Sequence, residues 1–150
     1  MNIIPYNEDI IKDFKYDGIE LDLDNDLKNI EETVTFSEKS FIGLKNNVPV
    51  CVFGIFTIHQ GVGYVWGYFN KDLCNYPLNA VRKIRELYKK EIVSLGYHRV
   101  QCMCKAELPK AGKFALCLGF GRETILHQYG TDKKDYILYY RLEDKQWQLH

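Results

Sequence analysis

The most regular patterning lies in the second half of the chain. From Val81 the apolar positions recur at Ile84, Tyr88, Ile92 and Leu95, steps of three and four that predict a helix over Leu78–Leu95. Its other face carries Arg82, Lys83, Arg85, Glu86, Lys89 and Lys90 and reads as solvated, with Glu86 and Lys90 spaced for an i,i+4 pair. Gly96 follows as a left-handed cap. Val100, Cys102 and Cys104 then alternate with Arg99, Gln101 and Met103, the period of a strand over residues 98–104. Pro109 suits the first turn of another helix, with Leu108, Ala111, Phe114, Ala115 and Leu118 as its apolar stripe and Gly119 at its end.

Upstream, residues 2–6 are a short apolar start broken by Pro5. Asn7 is a plausible N-cap for a short helix through Phe14, with Glu8 and Asp9 favourably placed near its positive end. The stretch from Asp17 to Glu32 is acidic, yet Leu21, Leu23, Leu27, Ile30 and Val34 thread through it and predict a helix over residues 24–33. Its acids read as a solvated face, with a basic partner as the rarer alternative. Residues 41–44 and 50–58 are β-rich and joined by a turn over residues 45–49. Gln60-Gly61 leads to a further strand, Val62–Phe69, with Tyr64, Trp66 and Tyr68 on one face and Val65 and Phe69 on the other. Strands over residues 121–129 and Tyr136–Leu142 follow, and the tail from Glu143 is polar. The expected order is β-α-α-β-β-β-α-β-α-β-β, a mixed sheet of the α+β class in one domain spanning residues 1–150.

Twenty basic and twenty acidic residues cancel to a formal charge of zero, which argues against a general nucleic-acid or anionic-membrane binder. No apolar run has the length of a membrane span, and the first residues lack the layout of a secretory leader. Five cysteines, mostly inside apolar patterns, read as reduced buried thiols, and the expected location is cytoplasmic. Cys102 and Cys104 point to one side of a strand, but the spacing is not Cys-x-x-Cys and no neighbouring Cys or His pair completes four ligands, so no metal is expected. Residues two apart on a strand also lack the geometry for a bridge to each other. Cys74 before the long helix is a candidate nucleophile. His59, His98 and His127 read chiefly as structural or exposed residues.

This order, with Lys113-Phe114-Ala115-Leu116-Cys117-Leu118-Gly119-Phe120 as a helix ending in Leu-Gly-Phe, resembles the Gcn5-related N-acetyltransferase (GNAT) superfamily. Tyr64-Val65-Trp66, the basic helix from Arg82 to Lys90 and Lys113-Phe114 with Gly119 resemble the small acetyltransferase-like and internal virion proteins of short-tailed bacteriophages. The resemblance implies that Val62–Phe69 and the strand at 98–104 are parallel neighbours that splay apart. It implies that the pantetheine arm of acetyl-CoA inserts between them and that the helix joining them holds the pyrophosphate at its N-terminus. By the same resemblance Tyr68, Phe69, Asn75, Asn79 and Arg82 are the candidate cofactor contacts, and Glu107 is the candidate base for an amine acceptor.

Three positions depart from the family pattern. Residues 70–79 contain no glycine where the phosphate loop belongs, and they include Asp72 and Pro77. Ala115 stands where the general-acid Tyr is common, and Leu108 stands near the position of a frequent Asn. The expectation is therefore an acetyltransferase-like protein, catalytically degenerate, with weak affinity for acetyl-CoA. If active, it transfers acetyl from acetyl-CoA to an amine. The alternative is a non-catalytic, virion-associated or assembly protein that uses the scaffold for protein contacts. The sequence leaves its oligomeric state open.

Overall fold

The computed structural model describes residues 1–14, 19–21, 27–74 and 78–143. In chain order they form β1 (Asn2–Pro5), α1 (Glu8–Ile11), β2 (Ile19–Leu21), α2 (Leu27–Phe36), β3 (Lys39–Lys45), β4 (Val48–His59) and β5 (Val62–Phe69). These are followed by α3 (Lys71–Cys74), α4 (Leu78–Leu95), β6 (Arg99–Lys105), α5 (Pro109–Cys117), β7 (Gly121–Leu126) and β8 (Tyr136–Leu142). The expected α+β order is present, with β2 and α3 as short additions. The strands form one mixed sheet, β1-β3-β4-β5-β6-β8-β7, and β2 lies off this path on β5. Among the described residues only β5 and β6 pair in parallel, joined by the α4 crossover.

Alternation along β5 divides the core. Val65 and Phe69 join Ile84, Tyr88 and Ile92 of α4 and Ala111, Phe114 and Ala115 of α5 on one face of the sheet. Tyr64, Trp66 and Tyr68 join Ile11 and Phe14 near α1 and Ile30 of α2 on the other. The α4 helix begins and ends where its pattern indicated. Gly96 has φ +72°, and the Tyr97 amide donates to the Ile92 carbonyl at 3.2 Å, so the cap satisfies one of the last carbonyls. Gly119 closes α5 in the same way, with the Phe120 amide donating to Ala115 O at 3.1 Å.

Several boundaries move for identifiable reasons. Asn7 caps α1 through its side chain, which accepts from Asp9 N at 2.9 Å, but the helix ends at Ile11 and Phe14 reaches the core from beyond it. The second helix runs on to Phe36, past the expected end at Thr33, and residues 24–26 of the expected span lie outside the described residues. Pro49 is inside β4 rather than in the turn. Asn46 and Asn47 both take positive φ and close the hairpin in two residues, and a register shift between Gly43 and Leu44 accommodates the strand. Leu108 is 36% exposed, outside the α5 stripe. Arg85, read as solvated, is 9% exposed because it borders the Ile84 stripe and a long aliphatic stem can lie along apolar surface. The tail after Glu143 lies outside the described residues.

Candidate cofactor slot

The site is a wedge in the sheet. β5 and β6 pair only where Val62, Gly63 and Tyr64 face Arg99, Val100 and Gln101. Beyond Tyr64, β5 continues along β4 to the Phe69–Cys51 pair, while β6 continues along β8 to the Lys105–Tyr136 pair. The two strands therefore diverge while each stays bonded on its outer side. At the throat, the Met103 amide of β6 donates to the Tyr64 hydroxyl at 3.2 Å, which satisfies an N–H that the diverging strand cannot reach.

The β5 side of the wedge is occupied by β2. It runs antiparallel, with Ile19 opposite Phe69, Glu20 opposite Tyr68 and Leu21 opposite Gly67. Strand backbone groups alternate in direction, and Asn70 donates across to Val50 of β4 at 3.0 Å. Gly67 and Phe69 must therefore turn their N–H and C=O groups into the wedge, and those two residues are the ones opposite Leu21 and Ile19. The sequence reading contained no strand here. Ile19-Glu20-Leu21-Asp22-Leu23 alternates apolar and acidic residues, a period-2 signal that could have revealed it.

After β5, Lys71–Cys74 form a turn of helix, and residues 75–77 lie outside the described residues. Leu73 N is bonded within it, to Asn70 O at 3.1 Å and to Asn70 Oδ1 at 3.2 Å. Asn75 lies outside the described residues, as does the side chain of Cys74. Asn79 and Arg82 are both exposed on the first turns of α4.

Tyr68 and Phe69 are core residues on opposite faces of β5. Tyr68 sits edge-on to Trp66 at 6.2 Å, and the Phe69 ring lies 4.5 Å from that of Phe114. Both flank the wedge by backbone position, and both rings are buried. Glu107 is in the turn after β6, half-exposed, with both carboxylate oxygens 2.9 Å from Lys134 Nζ. The hydrogen bond and charge of Glu107 raise the Lys134 pKa. Ala115 is fully buried and offers no hydroxyl.

The histidines among the described residues stay apart from the wedge chemistry. His59 is exposed at the hairpin turn. His127 is 3.1 Å from Asp135, whose carboxyl is held low by the Gln128 amide and by His127. His98 is exposed beside Gly61. Cys51, Cys102 and Cys104 are buried thiols, and burial pushes the Cys51 thiol up to about 12. No three His, Cys, Asp or Glu side chains among the described residues group into a metal site. No helix among them is long and apolar enough to cross a membrane. Thr33, Phe36, Phe56, Thr57 and Ile58 line a cavity of about 460 Å³ on the α2 side, which none of the candidate residues enters.

No protein-family model and no curated protein matches the chain. Solved structures do. An Ard1 protein from Thermoplasma volcanium has a TM-score of 0.76 at 10% identity, over 94% of this chain and 96% of its own. A GNAT family acetyltransferase from Elizabethkingia anophelis with acetyl-CoA bound has a TM-score of 0.69 at 11% identity, over 94% and 97%. A ribosomal-protein-S5-alanine acetyltransferase from Vibrio fischeri has a TM-score of 0.62 at 17% identity, over 81% and 70%. The chain thus has the GNAT fold. Among the described residues, the backbone that would face the arm of the cofactor which that fold implies is taken up, since the wedge-facing groups of Gly67 and Phe69 pair with β2. The Leu73 amide after β5 is bonded to Asn70, and residues 75–77 lie outside the described residues.

Proposed function

We propose that this chain is an acetyltransferase-like GNAT-fold protein that is catalytically degenerate, its scaffold serving protein contacts rather than acetyl transfer. The pairing of Ile19–Leu21 with β5 carries the reading, because it takes up the strand edge on which a thioester carbonyl and its pantetheine arm would be held. Three further features point the same way. Ala115 can donate no proton to a leaving thiolate. The bond that Leu73 N donates to Asn70 lowers the supply of amides for a pyrophosphate. Glu107 would have to leave Lys134 before acting as a base. The virion or assembly setting belongs to the same proposal. It draws support from the large apolar side chains left exposed away from the wedge, Phe36 and Ile58 among them.

Calorimetric titration with acetyl-CoA at low ionic strength, with CoA as competitor and release of free thiol followed on a panel of amines, tests the reading. Each lost charge-assisted hydrogen bond costs about 1.5–3 kcal/mol, so two weaken binding roughly a hundredfold or more. The expected result is no saturation at micromolar ligand and no thiol release above background. Saturable micromolar binding that survives moderate salt, with turnover on any amine, would overturn it.

A further inference from the structure

Among the described residues the most exposed large apolar side chains are Leu78 and Val93 of α4 and Phe36 of α2, and those two helices pack on opposite faces of the sheet. We propose that the groove between the ends of α2 and β4 receives α4 of a second copy of this chain, so that copies join head to tail. Val93 enters beside Phe36 and Ile58, and Lys89 and Lys90 come to Glu32 and Glu38. The proposal names the partner for the protein contacts read above and rests on that part of the reading, apart from the loss of acetyl transfer.

The groove is held open by the fold. At the end of α2 the Ser37 hydroxyl donates to the Thr33 carbonyl at 2.6 Å and accepts from Trp66 Nε1 at 2.8 Å. That tie to the core fixes the helix end, so Phe36 stands 75% exposed beside a closed turn rather than a frayed one. Ile58, 45% exposed, lines the cavity of about 460 Å³ with it. The rim is acidic. Thr57 Oγ1 donates to Glu38 Oε1 at 3.2 Å and lies 2.6 Å from the Tyr97 hydroxyl, which holds Glu38 beside the groove, and Glu32 is exposed on α2.

The outer side of α4 is the complement. Lys89, Lys90 and Val93 lie three and four residues apart, outside the buried stripe of Ile84, Tyr88 and Ile92, and all three are exposed. Among the described residues no ion pair engages Lys89, Lys90, Glu32 or Glu38, so both sets of charges are available. The segregation runs through the whole chain. Residues 1–40 hold eleven acids and four basic residues, and the rest holds nine and sixteen, so a chain of zero net charge divides into −7 and +7. That division selects the symmetry. A two-fold pairing of either patch with itself would set like charges together, whereas groove against α4 sets acid against base. Because the two patches belong to opposite faces of the sheet, each copy keeps one of them unused and the contact propagates.

Sedimentation velocity of the full chain tests this. The native chain should grow beyond a dimer as concentration rises, and its association should weaken roughly tenfold or more between about 50 mM and about 500 mM salt. Val93→Asp spoils the entering surface and leaves the groove, while Ile58→Asp spoils the groove and leaves α4. Each alone should stay monomeric, and their equimolar mixture should form dimers and stop there, because one intact groove and one intact α4 remain. Circular dichroism and thermal unfolding verify that each variant is folded. Lys89→Glu/Lys90→Glu and Glu32→Lys, at exposed positions, supply the same pair should either aspartate variant fail to fold. A native chain that is monomeric at about 1 mM and low salt would overturn the contact. A dimer that does not grow, or a mixture no more associated than its components, would overturn it as well. Each of those results leaves the degenerate reading to the acetyl-CoA titration, whereas thiol release there would overturn that reading and leave the head-to-tail contact standing.

Discussion

Tyr88 and the three buried thiols show how little of the interior is available for chemistry. The Tyr88 hydroxyl lies 2.8 Å from the Trp66 carbonyl and 3.2 Å from that of Gly54, and ties α4 to β4 and β5 where α4 crosses them. Burial raises its pKa far above the phenolic range, as it raises that of Cys51 from 9.0 to about 12. For Cys51 the consequence has a definite sign. Below pH 9 the thiol is neutral in both folded and unfolded chains and adds no pH dependence. Between 9 and 12 the unfolded chain releases the proton while the folded chain keeps it, so stability is lost as pH rises, by up to roughly 1.4 kcal/mol per unit. Two measurements check this. With iodoacetamide at pH 8, exposed Cys117 should label quickly while Cys51, Cys102 and Cys104 label only on addition of denaturant. The urea midpoint should fall from pH 9 to 10.5, and it should fall less in Cys51→Ala. Rapid native labelling of Cys102 or Cys104 would mean that the α4 face opens far more readily than its packing implies.

Among the elements, the β3–β4 hairpin offers the sharpest test of local chemistry. Asn46 and Asn47 sit at φ 52° and 63°, the pair of left-handed residues that a two-residue hairpin turn demands. Replacing both by Ala should cost about 1–2 kcal/mol per residue, while Asn47→Gly should raise the thermal midpoint slightly. An unchanged midpoint in the double Ala variant would show that the strands, rather than the turn, set this register. The same hairpin shows why some boundaries were illegible. Asn-Asn followed by Pro reads as a long turn, and only pairing with β3 draws Val48 and Pro49 into a strand. The elements with their own internal period were legible throughout: α4, β5, the Gly96 and Gly119 caps, and the two-faced aromatic pattern of Tyr64, Trp66 and Tyr68. What was missed, β2, had the right period inside an acidic composition. Three residues cannot hold as a strand alone, and the edge that receives them is about fifty residues away in sequence. The candidate site was legible as a location. Its closure, the Glu107–Lys134 pair and the use of Leu73 N by Asn70 depend on tertiary placement that no local pattern encodes.

At the scale of the whole molecule, the sheet is a continuous wall with one seam. β4 lies against β3 on one side and β5 on the other, and β6 is held by β8, so each half is well braced. Between them β5 and β6 share only three paired positions, and β2 rests on the remaining length of β5. Stability against local opening should therefore be uneven along a single strand. The amides of Trp66 and Tyr68 face the twelve-residue β4 and should exchange only with the deepest openings of the core. The amides of Gly67 and Phe69 face a three-residue strand and should exchange as soon as that strand lifts. Hydrogen exchange followed by residue-resolved NMR should thus alternate along residues 66–69, slow at the even positions and faster by an order of magnitude or more at the odd ones. Uniform protection across all four amides in the native chain would mean that β2 is as firmly seated as β4, and that the seam is a fixed part of the fold rather than a place where it opens.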